Sequence, residues 1–121
     1  MAAGERLCRT ELLRLPAQYL RCYRAGRRKS GTFLLLYCHP NDTASARLGI
    51  TASRKVGPSV LRHRLKRRVR EIFRRDPQRR TLPNLDLVVH LQPTAGKATF
   101  AALRSELSKL LRQAARGCAP R

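Results

Sequence analysis

RLGITASRKVGPSVLRHRLKRRVREIF, Arg47 to Phe73, carries two different periods in one stretch. Leu48, Ile50 and Ala52 alternate with Arg47, Thr51 and Ser53, the period-two pattern of a strand with one face inward. Gly57-Pro58-Ser59 then breaks the strand and opens a helix, and the period lengthens. Leu61, Leu65, Val69, Ile72 and Phe73 recur at steps of three and four and make an apolar stripe, which Asp76-Pro77 ends. Lys66, Arg67, Arg70 and Arg74 fall on the other side, whereas Arg62 projects close to the stripe at the helix entrance. The helix has a single acid, Glu71. Like charges at helical spacing repel by roughly a few tenths of a kcal/mol per pair, so a helix that only faced water would interleave acids with its bases. Something outside the chain must welcome this charge.

Working outward, PAQYLRCYRAG (Pro16 to Gly26) reads as a short helix, with Pro16 fit for its first turn and Gly26 for its stop. Tyr19 and Tyr23 lie one turn apart and share a face. TFLLLYCHP (Thr32 to Pro40) is a strand between Gly31 and an HPND turn. Downstream, PQRRTLPN (Pro77 to Asn84) reads as a loop, LDLVVHLQ (Leu85 to Gln92) as a third strand, and TFAALRSELSKLLRQA (Thr99 to Ala114) as a last helix. The order α-β-β-α-β-α specifies a small α+β single domain, a mixed sheet packed by helices, with parallel pairing expected across the central βαβ unit. Residues 1–15 read as a basic N-terminal extension, 16–115 as the domain and 116–121 as a tail.

The charge dominates the composition. Lys and Arg total 27 against 7 acids, a formal net charge of +20, and Arg outnumbers Lys 22 to 5. Such a balance calls for a polyanion, nucleic acid first and an anionic membrane second. Arg binds phosphate oxygens two at a time and stacks on bases, which favours a structured phosphate backbone. The longest apolar run, Phe33 to Cys38, is strand-sized and far too short for a bilayer span. MAAGERLCRTELLRL has no signal-peptide core, and Glu5 and Glu11 argue against a transit peptide, so a cytoplasmic protein without a membrane partner is expected. Cys8, Cys22, Cys38 and Cys118 lack the paired spacing of a zinc site and read as free, partly buried thiols.

Unaided phosphodiester cleavage usually gathers carboxylates around metals, or pairs His with a second acid or base. Here Glu5, Glu11, Asp42, Glu71, Asp76, Asp86 and Glu106 are scattered, His39, His63 and His90 lie on different elements, and no glycine-rich phosphate loop is present. The residues specify binding rather than catalysis, with no catalytic or metal-ligating set. Tyr19 and Tyr23 are either core residues or a stacking platform for unpaired bases beside a cationic groove, which Tyr37 could extend.

The stretch RLGITASRKVGPSVLRHRLKRRVREIFRR resembles the signature of the bacterial ribonuclease P protein family, S-[KR]-K-[VI]-G-N-A-V, one residue, then R-N-R-x-K-R and R-[EQ]. Ser53, Arg54, Lys55, Val56, Gly57, Val60, Arg62, Arg64, Lys66, Arg67, Arg70 and Glu71 match without a gap. Tyr19, Tyr23 and Tyr37 stand where that family has aromatics, and Asp86 where it opens its last strand with Asp. The likeness covers about Ala17 to Leu111. His63, Pro58, Ser59 and Gln92 depart from the pattern.

The resemblance implies a fold like the second domain of ribosomal protein S5, with a left-handed βαβ crossover. It implies a protein that binds the catalytic RNA of ribonuclease P, about one protein per RNA, and helps it remove the 5′ leader of precursor tRNA. Arg54, Lys55, Arg62, His63, Arg64 and Arg68 would meet the catalytic RNA. Tyr19, Tyr23, Tyr37, Lys66, Arg67 and Arg70 would line the cleft for the leader. Mg²⁺ would be held mainly by RNA, and the protein alone would be inactive. The rival readings are a structural RNA-binding protein such as a ribosomal protein, which needs no aromatic cleft, and a helix-turn-helix DNA binder, which wants a second helix close to the basic one.

Overall fold

The computed structural model describes residues 11–43 and 45–117. In chain order the elements are α1 (Pro16–Ala25), β1 (Arg27–Ser30), β2 (Leu34–Pro40), β3 (Arg47–Ala52), α2 (Ser59–Arg75), β4 (Leu85–Leu91) and α3 (Phe100–Gly117). Short 3-10 turns occupy Arg54–Val56 and Pro93–Lys97, and a single helical turn, Gln78–Thr81, interrupts what reads locally as a loop. That turn forms because the Asp76 carboxylate accepts the Gln78 amide at 2.8 Å.

The strands lie in the order β1-β2-β4-β3. β2 pairs antiparallel with both β1 and β4, while β3 and β4 are parallel neighbours joined through α2, as the βαβ reading requires. β4 is central and covered on both sides, which explains its nearly continuous apolar run. Its Leu85, Leu87, Val89 and Leu91 join Leu34 and Leu36 of β2 and Leu48 of β3 in the main core. The stripes of α2 (Leu65, Val69, Ile72, Phe73) and α3 (Leu103, Leu107, Leu110, Leu111) close over them. At about 1.5–3 kcal/mol per fully buried large side chain, this layer is the principal source of stability. The opposite sheet face carries the alternate residues, Leu35, Tyr37 and His39 on β2, Asp86, Val88 and His90 on β4, and Arg47, Gly49 and Thr51 on β3. Among the described residues, α1 and the segment just before it pack there through Leu13 and Cys22, and much of that face stays open.

β1 is absent from the sequence reading. Its residues, RRKS, show no apolar alternation and are mostly exposed, as suits a basic edge strand that resists pairing with other chains. What makes it a strand lies some seventy residues away: the amides of Thr32, Phe33 and Leu34 donate to the Glu106 carboxylate at 2.7, 2.8 and 2.7 Å. These charge-assisted bonds hold the hairpin turn against α3. A Cβ at Gly31 would fall 2.4 Å from the Glu106 carboxyl carbon, so the turn closes this tightly only on glycine.

Two further details bear on the site. Gly57 has φ 150°, a conformation nearly restricted to glycine, and it lets the chain turn from the Arg54–Val56 turn into α2. At the other end of the domain, the segment before α1 is pinned to it: the Leu13 amide donates to the Leu48 carbonyl at 2.8 Å and Leu13 is buried. Cys22 is a buried free thiol, but Cys38 is disulfide-bonded, against the expectation of a free thiol. Cys8 and Cys118 lie outside the described residues.

Candidate nucleic-acid interface

α1 reaches the open sheet face through its aromatic side. The Tyr19 ring lies directly on Gly49, where a Cβ would be 2.6 Å from Cε2, and its hydroxyl donates to the Leu13 carbonyl at 3.3 Å. Burial raises the Tyr19 pKa, opposed by a hydrogen bond from the Ile50 backbone and by the charge of Arg70. Cys22 seals the same layer, and burial, followed by the Asp86 charge, pushes its thiol up to about 11, so it is inert.

One turn on, Tyr23 is 36% exposed. Its ring meets Tyr37 edge-on, with centroids 4.7 Å apart and planes at 78°, a favourable aromatic geometry. The Tyr23 hydroxyl sits 2.8 Å from Thr51 Oγ1, which in turn is 2.8 Å from His90 Nδ1. This face therefore carries an aromatic pair continued by a hydroxyl–imidazole chain. Tyr19 and Tyr37 are both partly buried against the cluster of Leu13, Cys22 and Val88, and Tyr23 is the most exposed of the three rings.

Burial lowers the His90 pKa below its ordinary 6.5. The unfolded chain then binds more protons than the folded one as pH drops below about 6.5, so this contribution to stability is fully present above that pH and is lost below it. Unfolding midpoints measured at pH 7.5 and pH 5.5 are expected to show the loss, and His90→Gln should flatten it. An unchanged slope in the variant would mean that the folded imidazole is already protonated.

Asp86 lies at the closed end of this face and is wholly buried. Arg47 Nε and Nη2 donate to its Oδ1 and Oδ2 at 2.7 and 2.8 Å, and Asn41 Nδ2 donates to Oδ1 at 2.8 Å. This fork ties β3 to β4 and raises the Arg47 pKa through the hydrogen bond to Asp86. With both oxygens engaged, the carboxylate braces the sheet and offers nothing to a metal or a substrate.

The cations of α2 divide by helical geometry. At 100° per residue, Arg62, Lys66 and Arg70 form one row beside the apolar stripe, and the charge of Arg70 is felt at the Tyr19 hydroxyl. Arg64 and Arg68 form a second row on the opposite flank, while His63 and Arg67 lie on the exposed crest. Arg54 and Lys55 stand exposed in the turn before the helix. The structure brings Tyr23 and Tyr37 into contact, while helical geometry puts Lys66 and Arg70 in one row with Arg62 and sends Arg64 to the opposite flank. Arg62 is also partly occupied, since its Nε donates to the Gly57 carbonyl at 3.2 Å. Thr51, His90 and Arg47 were missed as site residues; the period of two on β3 and β4, which puts 47, 49 and 51 beside 86, 88 and 90, was the available signal.

An aromatic pair on an open sheet face and an Arg-rich helix are the marks of a small basic α+β protein suited to nucleic acid. The family model described as Ribonuclease P matches residues 7–115. The chain belongs to that family and is a protein component of ribonuclease P, the ribonucleoprotein endoribonuclease of tRNA processing. A ribonuclease P protein component of Clostridium botulinum is 31% identical over 102 residues, covering 84% of this chain and 92% of the relative. The structure of the Thermotoga maritima ribonuclease P protein superposes with a TM-score of 0.76 at 31% identity, over 85% of this chain and 96% of that one. The Staphylococcus aureus ribonuclease P protein gives 0.78 at 27% identity, over 86% and 94%. The family match displaces the ribosomal-protein and helix-turn-helix readings, and β4 rather than a second long helix follows α2. Among the described residues, no helix is long and apolar enough to cross a membrane.

Proposed function

We propose that this chain binds the RNA subunit of ribonuclease P, one protein per RNA, and holds the 5′ leader of precursor tRNA while the RNA subunit cleaves. The observation that carries the reading is the Tyr23–Tyr37 pair on the open sheet face, together with the cationic Lys66 and Arg70 row of α2, whose Arg70 charge is felt at neighbouring Tyr19. Unpaired leader bases stack on the two rings, and the guanidinium and ammonium groups meet the phosphates between them. Binding energy gathered on the leader, away from the scissile bond, positions that bond against the RNA catalytic centre.

The protein's own acids support an RNA-centred chemistry with Mg²⁺ held mainly by RNA. Asp86 is locked to Arg47, Glu106 to three amides, Glu71 to Arg74 and Arg75, Glu11 to Arg79, and Asp76 to the Gln78 amide. Among the described residues no three His, Cys, Asp or Glu side chains converge on a metal site. The work is placed in the cytoplasm, where precursor tRNA is made in bacteria.

The test is reconstitution. Purified protein added to a ribonuclease P RNA should restore leader removal at a Mg²⁺ concentration where the RNA alone barely cuts, while the protein alone leaves precursor tRNA intact. Cleavage by repurified, RNA-free protein, or no gain on adding it, would refute the reading.

A further inference from the structure

A groove of about 470 Å³ runs between the C-terminal half of α2 and α3, on the flank of α2 opposite Lys66 and Arg70. Its size falls in the range of binding clefts, roughly 300–1,000 Å³. Arg104, Ser108 and Arg112 recur every four residues along its α3 wall, and Arg75 faces them from α2. Two carboxylates also line the groove, Glu71, which is shared between Arg74 and Arg75, and Asp76, which is mostly buried and accepts the Gln78 amide. Among the described residues neither Arg104 nor Arg112 has an acidic partner; Arg112 reaches only the Ser108 hydroxyl, at 3.3 Å. At the groove mouth Phe100, the first residue of α3, is 41% exposed, an unusual position for a phenylalanine on a helix whose apolar stripe is otherwise buried. Facing guanidinium groups, a hydroxyl and an uncovered ring are the parts of a phosphate-and-base site.

We propose that this groove is a second RNA contact, taking the backbone of an unpaired segment of the ribonuclease P RNA on Arg75, Arg104 and Arg112, with one base stacked on Phe100. The RNA subunit is the occupant because the groove continues the Arg64 and Arg68 row of α2, whereas a leader strand lying in the cleft would have to cross α2 to enter it. The inference rests on the reading that the chain binds that RNA.

The experiment titrates labelled protein with transcribed ribonuclease P RNA over a range of KCl concentrations. Arg104→Gln with Arg112→Gln is compared with Lys109→Gln and Arg116→Gln, an equal loss of charge on exposed α3 positions that do not line the groove. The groove pair should lower affinity about tenfold or more and reduce the log–log salt slope by about 1.4–1.8, two phosphates at 0.7–0.9 each, with little change from the control pair. Phe100→Leu, which keeps an apolar side chain but removes the ring, should weaken binding about tenfold. Circular dichroism melts verify that each variant folds. Equal effects from the two Arg/Lys pairs, an unchanged slope, or a loss confined to leader-bearing substrate would overturn the proposal. So would loss of self-association in the Phe100 variant with RNA affinity intact, which would make the groove a protein-docking face. Wild-type protein that fails to bind the RNA would sink the parent reading, a result distinct from all of these.

Discussion

Arg47→Ala is expected to destabilise the protein by about 3–5 kcal/mol, a large share of a small domain's stability. The cost comes from what stays behind. Asp86 is wholly buried, and without the guanidinium its carboxylate keeps only the Asn41 amide, an uncompensated charge in the sheet interior. Arg47 itself is 17% exposed, so some water will reach the vacated space and the lower end of the range is the better estimate. Replacing the pair together, Arg47→Met with Asp86→Leu, should recover much of the loss, because it removes the unpaired charge along with the ion pair. Urea unfolding would report it as a lower midpoint at unchanged slope. A loss under about 1 kcal/mol for Arg47→Ala would mean that the pair is far better solvated than its geometry indicates. The consequence for function is indirect: Thr51 and His90 stand four residues along the same two strands, so loosening β3 from β4 unsettles the floor on which Tyr23 rests.

What was legible in the sequence was whatever depends on local period. β3, α2 and α3 show their buried face as a repeat of two or of three to four residues, and β2 and β4 show theirs as short apolar runs between turn residues. β1 was not legible, since its ordering comes from Glu106 on the last helix. Tyr19 and Tyr23 look equivalent on a helical wheel; only the absence of a Cβ at Gly49 lets the first ring sink onto the sheet while the second stays in the cleft. The separation of Arg62 from Arg64 follows from helical geometry alone. Its meaning needed the fold, because the two flanks acquire different neighbours only once α1 and α3 are in place.

That separation sets up the other large effect. Tyr23→Ala with Tyr37→Ala should weaken binding of precursor tRNA to the assembled complex by about 1–3 kcal/mol per lost stack, and leave leaderless tRNA nearly unaffected. The pair is the right one to remove because Tyr23 is exposed and the two rings touch, so a base stacked at this spot would meet both. Tyr19→Ala is the contrasting variant. It uncovers Gly49 and frees the Leu13 carbonyl, so its main cost should appear in unfolding rather than in leader affinity. Arg64→Ala probes the opposite flank without disturbing the helix start, which Arg62 helps to hold through Gly57. It should weaken assembly with the RNA subunit and lower the salt slope by about 0.7–0.9, with leader discrimination intact once the complex is saturated. The comparison turns on which ligand loses affinity. If Tyr23→Ala with Tyr37→Ala reduces binding of leader-bearing and leaderless tRNA equally, the rings are packing residues and the leader lies elsewhere. Should Arg64→Ala erase leader discrimination at saturation, the two flanks of α2 serve one RNA, and the division between cleft and assembly surface is wrong.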